Sequence, residues 1–162
     1  VRGIAVLVLG RHFALGRLIL SVHYYDPYLL ALMGETHTWG QASPERDDWG
    51  QEDFVDKQFD KLKVTYIDKG IPVLMGEYGA THQGGYEDYR RYYMEYVTKA
   101  ACDRGILPVY WDNGGGGSGK ESFGLNDRND GSALHPEILA AMVRAATQDY
   151  TKGDIAKPKP SN

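Results

Sequence analysis

Three short apolar runs, each breaking off into a polar-aromatic cluster, constrain this chain more than any other feature. They are Leu18–Tyr25 (LILSVHYY), Pro72–Tyr78 (PVLMGEY) and Ile106–Trp111 (ILPVYW). Runs of this length, rich in β-branched and aromatic residues and bounded by turn residues, read as buried strands. Between them lie stretches of helical period. From Gln51 to Asp68, Val55, Phe59, Leu62 and Tyr66 recur on one side, with Asp56, Lys57, Asp60 and Lys61 on the other. From Tyr86 to Arg104, Tyr89, Tyr93, Val97 and Ala100 form the apolar face and Gly105 supplies the stop. Pro136 opens a last helix, with Ile138, Leu139, Met142 and Val143 expected inward. Strands alternating with helices predict a parallel α/β sheet, open or closed.

The first apolar run, Ile4–Leu9, fits this pattern poorly. Eight residues separate it from Leu18, whereas a parallel crossover needs about a dozen. Either it is not a parallel neighbour of the next strand, or the intervening helix is missing. The run is also too short to span a bilayer, and no signal-peptide cleavage pattern follows it. A chain opening on Val1 rather than Met is expected to be processed, truncated or cloned from a longer reading frame. Residues 147–162 are polar, carry two Lys-Pro pairs, and read as a solvated tail or linker.

The long polar segments follow strands: Asp26 to about Gly50, containing Thr38-Trp39-Gly40, and Asp112 to Leu134, beginning with Asp112-Asn113 and four glycines. In parallel α/β folds, function gathers at the carboxyl ends of strands. Here those ends read His23-Tyr24-Tyr25, Gly76-Glu77-Tyr78-Gly79 and Trp111-Asp112-Asn113-Gly114. Glu77 follows Val73, Leu74 and Met75, and a carboxylate there is costly unless it is partnered or working. It is either a structural ion pair or a reacting group. Tyr25 shares a strand side with His23, and a phenol there donates to the carboxylate and keeps it anionic. Trp111 is a core tryptophan or a platform for a pyranose ring, with Asn113 a hydrogen-bond partner for ring hydroxyls. The 12 Tyr divide between the same two uses.

Charge and cysteine usage narrow the classes. The net charge is −4 with no basic run, which argues against a nucleic-acid partner. Cys102 is the sole cysteine, so no internal disulfide forms, and no metal-ligand spacing of Cys or His occurs among the five scattered His.

The blocks SVHYYDPY, TWG, IPVLMGEYGA, Tyr89-Arg90-Arg91-Tyr92, GILPVYWDNG and FGLNDR, in this order and spacing, resemble the second half of glycoside hydrolase family 5, the cellulase-type endoglucanases. The resemblance runs from about Leu18 to Ala146. A complete (β/α)8 barrel takes about 250 residues, and this chain has 162. The resemblance therefore implies an α/β fold that is a partial (half) TIM barrel, its parallel strands corresponding to the last three or four of the barrel. Residues 1–146 would form that half and 147–162 the tail.

It further implies a retaining glycoside hydrolase acting on β-1,4-glucan, such as cellulose, carboxymethylcellulose or related glucans. Glu77 would be the nucleophile on the seventh strand, with His23 and Tyr25 beside it from the sixth. Trp111 and Asn113 would hold sugar at the eighth, and Trp39 would be an aglycone-side platform. No metal or other cofactor is implied, nor a membrane partner, and an extracellular location is inherited from the family.

The pattern also breaks. Members carry their general acid/base Glu in an Asn-Glu pair, and this sequence contains none. Asp112, Glu35 and Glu121 are the loop carboxylates available as substitutes. A half barrel leaves open edges and an uncovered apolar face, so a homo-oligomer is expected to cover it. A catalytically silent carbohydrate-binding half barrel, or an inactive fragment, is the alternative.

Overall fold

The structure is a computed structural model describing residues 5–6 and 18–159. Its sheet has four strands in the order β1 (Ala5–Val6), β2 (Leu20–Tyr24), β3 (Val73–Tyr78) and β4 (Ile106–Tyr110). β2, β3 and β4 run parallel, whereas β1 pairs antiparallel with β2, Ala5 opposite His23 and Val6 opposite Val22. An antiparallel neighbour needs no crossover helix, which accounts for the short gap after the first apolar run. The rest of Val1–Arg17 lies outside the described residues.

Three helices cover one face of the sheet: α1 (Glu52–Thr65), α2 (Glu87–Cys102) and α3 (Pro136–Thr147). Val22 and Tyr24 of β2, Val73, Met75 and Tyr78 of β3, and Ile106 of β4 join Val55, Phe59 and Leu62 of α1 in one core. Burial of such side chains is worth roughly 1.5–3 kcal/mol each before conformational entropy is set against it. The helix termini follow the macrodipole, with Glu52 and Asp53 in the first turn of α1 and Lys63 in its last.

α2 differs from the one-sided helix its periodicity predicts. Twelve of its 16 residues are buried, because α1, α3, the sheet and the C-terminal segment surround it. Its tyrosines meet the core with their rings and polar partners with their hydroxyls. Tyr92 donates to Glu52 Oε1 and Tyr96 to Asp56 Oδ2, both at 2.9 Å, and Tyr93 donates to the Asp26 carbonyl at 3.1 Å. Buried Glu95, 1% exposed, accepts from Arg91 Nη1 (3.0 Å), Arg144 Nη2 (2.7 Å) and Tyr150 Oη (2.9 Å). These donors tie α2 to α3 and to the chain beyond it.

Two expectations need correction. On α3 the inward stripe is Ile138, Ala141 and Ala145, with Leu139 and Met142 partly buried, while Val143 faces solvent. Val143 lies five residues from Ile138, on the far side of a 3.6-residue period. Nor is the segment after α3 a free solvated tail. Ile155 is buried in the core, Thr151 and Asp154 form a capping box, and Lys152 pairs with Asp56. Arg91 Nη2 donates to the Ala156 carbonyl at 2.8 Å, and Lys157 sits over the Tyr92 ring at 4.6 Å. Composition marked this segment as polar, but its polar groups have partners on α1 and α2.

The Glu95 node yields a stability prediction. Glu95→Gln is expected to lower the unfolding free energy by about 3 kcal/mol, the low end for a broken buried pair because Arg144 remains 41% exposed. Urea denaturation of the purified variant beside the parent measures it.

Candidate active site

The site is created by an irregularity in β3. Pairing with β2 runs Leu20–Val73, Ser21–Leu74 and Val22–Met75, then skips Gly76 and resumes as His23–Glu77 and Tyr24–Tyr78. The pairing with β4 shifts across the same residues, between Met75 and Tyr78. One extra residue in a strand reverses the inside–outside alternation beyond it. Tyr78 consequently joins Val73 and Met75 on the helix side, where its hydroxyl lies 2.7 Å from Thr98 Oγ1. Glu77 turns to the opposite, open face. Glycine suits the bulge, since a Cβ at position 76 would come within 3.0 Å of Ser21 Oγ.

On that open face Glu77 meets both residues expected beside it. The Tyr25 hydroxyl donates to Glu77 Oε2 at 3.1 Å, and His23 Nδ1 lies 3.3 Å from the same oxygen. Neither engages Oε1. Burial first, and the Glu77 charge second, push the Tyr25 phenol well above its ordinary pKa, so at neutral pH it stays protonated and remains a donor. The Glu77 side chain keeps 29% of its surface exposed, enough to be reached from the open face.

A clamp that sequence reasoning missed holds Tyr25. The Phe123 ring stands edge-on to it, with centroids 6.2 Å apart. Phe123 is fixed by Arg90, whose Nη2 donates to the Phe123 carbonyl (3.2 Å) and the Tyr110 hydroxyl (2.9 Å), while Nε donates to the Ala80 carbonyl (2.8 Å). Gly79 permits this packing, because a Cβ there would lie 3.2 Å from both the Phe123 and Tyr110 rings. A buried Arg on a tyrosine-rich helix, together with the FGLNDR block, was the available signal.

Trp111 stands at the end of β4 with its indole 42% exposed. It alternates with Leu107 and Val109, which are also exposed, and so shares the open face with Glu77. It is therefore not a core tryptophan.

The other two expected sugar contacts sit differently. Trp39 is fully buried, ringed by Tyr92, Tyr93 and Tyr96 at centroid distances of 5.3, 5.1 and 5.5 Å, and its Nε1 donates to the Gly50 carbonyl. With its faces covered by tyrosines, it is a core residue, not an aglycone platform. Asn113 is occupied by its own loop. Its Oδ1 accepts from Gly115 N (2.9 Å) and Phe123 N (3.4 Å), and its Nδ2 donates to the Glu121 carbonyl (2.8 Å) and Oε2 (3.2 Å).

Asp112, one of the loop carboxylates weighed as a substitute acid, is likewise committed, accepting from Gly114 N at 2.7 Å and Leu125 N at 3.0 Å. Glu35 lines a polar cavity of about 220 Å³ with Thr36, His37, Glu45 and Arg46. Glu121 is exposed beside Asn113. Among the described residues, no cluster of three or more His, Cys, Asp or Glu is arranged to hold a metal, and no helix is long and apolar enough to cross a membrane.

Parallel strands backed by helices, with a hydrogen-bonded carboxylate at the carboxyl end of the central parallel strand, are the layout of a partial (β/α)8 barrel. The sequence profile of cellulase (glycosyl hydrolase family 5) matches residues 14–117, and the chain belongs to that family. It is 34% identical over 137 residues to endoglucanase A of Paenibacillus barcinonensis, spanning 79% of this chain and 34% of that protein. It is 31% identical over 142 residues to the xyloglucan-specific endo-β-1,4-glucanase of Bacteroides ovatus, spanning 79% of this chain and 27% of that protein.

Among solved structures, it superposes on a Bacteroidetes-affiliated family 5 cellulase linked with a polysaccharide utilization locus. The TM-score is 0.84 at 31% identity, over 92% of this chain and 40% of that one. A broad-specificity endoglucanase from Bacteroides salanitronis gives 0.78 at 40% identity, over 88% and 40%. The chain thus spans about a third of the curated relatives' length and 40% of these barrels.

The two tryptophans should separate in unfolding experiments. Trp39→Ala is expected to cost about 3–5 kcal/mol, as for a large core side chain, and Trp111→Ala less than about 1 kcal/mol. Urea titration of both variants tests the assignment.

Proposed function

We propose that this chain is the nucleophile-bearing half of a β-1,4-glucan-cleaving glycoside hydrolase of the retaining type, acting on cellulose, carboxymethylcellulose or related glucans. The observation that carries the reading is the convergence of Tyr25 and His23 on Oε2 of Glu77, on the face that also bears Trp111. Two groups facing one carboxylate oxygen hold the side chain in place. The other oxygen is left for attack on the anomeric carbon. In the retaining reaction that attack breaks the glycosidic C–O bond, the leaving sugar oxygen takes a proton from a second carboxyl group, and water then hydrolyses the resulting glycosyl-enzyme. Trp111 would support the pyranose ring at the cleavage point. The family names of the relatives, endoglucanases and a xyloglucan-specific glucanase, point to the same polymer class.

Glu77→Gln is expected to abolish reducing-end release from carboxymethylcellulose, and Tyr25→Phe to lower kcat roughly 10- to 100-fold through loss of one charge-assisted hydrogen bond. A Glu77→Gln protein with parental activity would overturn the assignment.

A second reading is binding without hydrolysis. It is favoured because retaining cleavage needs two carboxyl groups about 5–5.5 Å apart, and among the described residues only Glu77 lies in the Tyr25–His23 cluster. Retardation in a β-glucan gel without release of reducing ends would select this reading.

The open face also bears on assembly. Leu107 (64% exposed) and Val109 (44%) lie along one side of an edge strand, an apolar surface of the kind proteins cover. The isolated chain is expected to self-associate through it. Size-exclusion chromatography with light scattering should give at least twice the chain mass at micromolar concentration, and a stable monomer would refute it.

A further inference from the structure

We infer that Glu121, rather than Asn113, is the residue of the loop after β4 that meets substrate, accepting a hydroxyl of the glucosyl unit bound beside Glu77. The inference rests on the proposed glucan site and extends it by one contact.

Three observations lead to it. Asn113 occupies the position at which a sugar contact was expected, yet both of its polar atoms are spent within the loop, and two of its hydrogen bonds hold Glu121 by carbonyl and carboxylate. The asparagine therefore presents another residue instead of contacting ligand itself.

The second observation concerns backbone conformation. Among the described residues Glu121 is the one non-glycine with positive φ, at +63°, in a loop where Gly114 and Gly119 also adopt positive φ. A non-glycine side chain in the left-handed region is strained, and such strain concentrates at ligand sites. The loop is shaped around this placement. A Cβ on Gly115 would fall 2.1 Å from the Glu121 carbonyl, so Gly115 must be glycine for Glu121 to approach.

The third is location. Glu121 lies two residues before Phe123, whose ring abuts Tyr25. Its charge also reaches the Tyr25 phenol, among the smaller causes that raise the phenol's pKa. An exposed carboxylate near the Tyr25–Glu77 pair, past the end of the Trp111 strand, is an acceptor for neutral, hydroxyl-rich ligand.

A structural role and a ligand-binding role predict opposite behaviour for one substitution. Glu121→Gly relieves the left-handed strain while removing the carboxylate, so it should melt no lower than the parent. If Glu121 contacts sugar, the same variant should bind cellotetraose about tenfold or more weakly, as expected for a lost hydrogen bond to a charged group. Glu121→Gln, which keeps an acceptor oxygen, should fall between the two. The readouts are thermal unfolding and NMR titration of the ¹⁵N-labelled full chain with cellotetraose.

Parental affinity in both variants, when the parent itself binds, overturns this inference alone. So does a Glu121→Gly protein that melts lower than the parent yet binds equally well. Should Glu121→Gly fail to fold, Glu121→Gln decides by its affinity. No binding by the parent overturns the glucan site together with Glu121.

Discussion

One extra residue in the central strand governs where the chemistry of this half barrel points. Gly76 bulges out of register with both neighbours, so Glu77 and Tyr78 exchange the faces that strict alternation would assign them. The phenol enters the helix layer and finds Thr98, and the carboxylate emerges opposite His23 and beneath Tyr25. Without the bulge the carboxylate would be driven into an apolar core at several kcal/mol, and the open face would lack its acid.

The surroundings serve that arrangement from two sides. From the helix layer, Arg90 holds the β3–α2 loop, Tyr110 and Phe123 together, and Phe123 braces Tyr25. From the rim, Asp112 and Asn113 bind the backbone N–H groups of residues 114, 115, 123 and 125. The loop that begins at WDNG thus closes on FGLNDR. Two motifs that stand apart in sequence form one structure, in which polar side chains satisfy backbone that glycine-rich sequence cannot order alone.

Aromatic residues do two kinds of work here, and burial separates them. The tyrosines of α2 and Trp39 fill the core while their polar atoms reach Glu52, Asp56, Asp26 and the Gly50 carbonyl. Trp111, on the opposite face, keeps its ring open. The apolar face around it, where Leu107 and Val109 are also exposed, is the side of the sheet opposite the helices.

The sequence by itself determined the three parallel strands, the three α-helices, the parallel α/β class and the family, since hydrophobic period, glycine and proline stops and the strand-end motifs are local features. It also put Glu77, Tyr25 and His23 at neighbouring strand ends. It could not determine that Trp39 is buried, that Asn113 turns inward to Glu121, that Val143 faces out, or that Ile155 docks in the core. Each of these depends on which distant residues cover or pair with a side chain. The bulge at Gly76 is of the same kind, because register is set by partner strands and by the helices packed behind them, and only the assembled sheet decides which face a carboxylate sees.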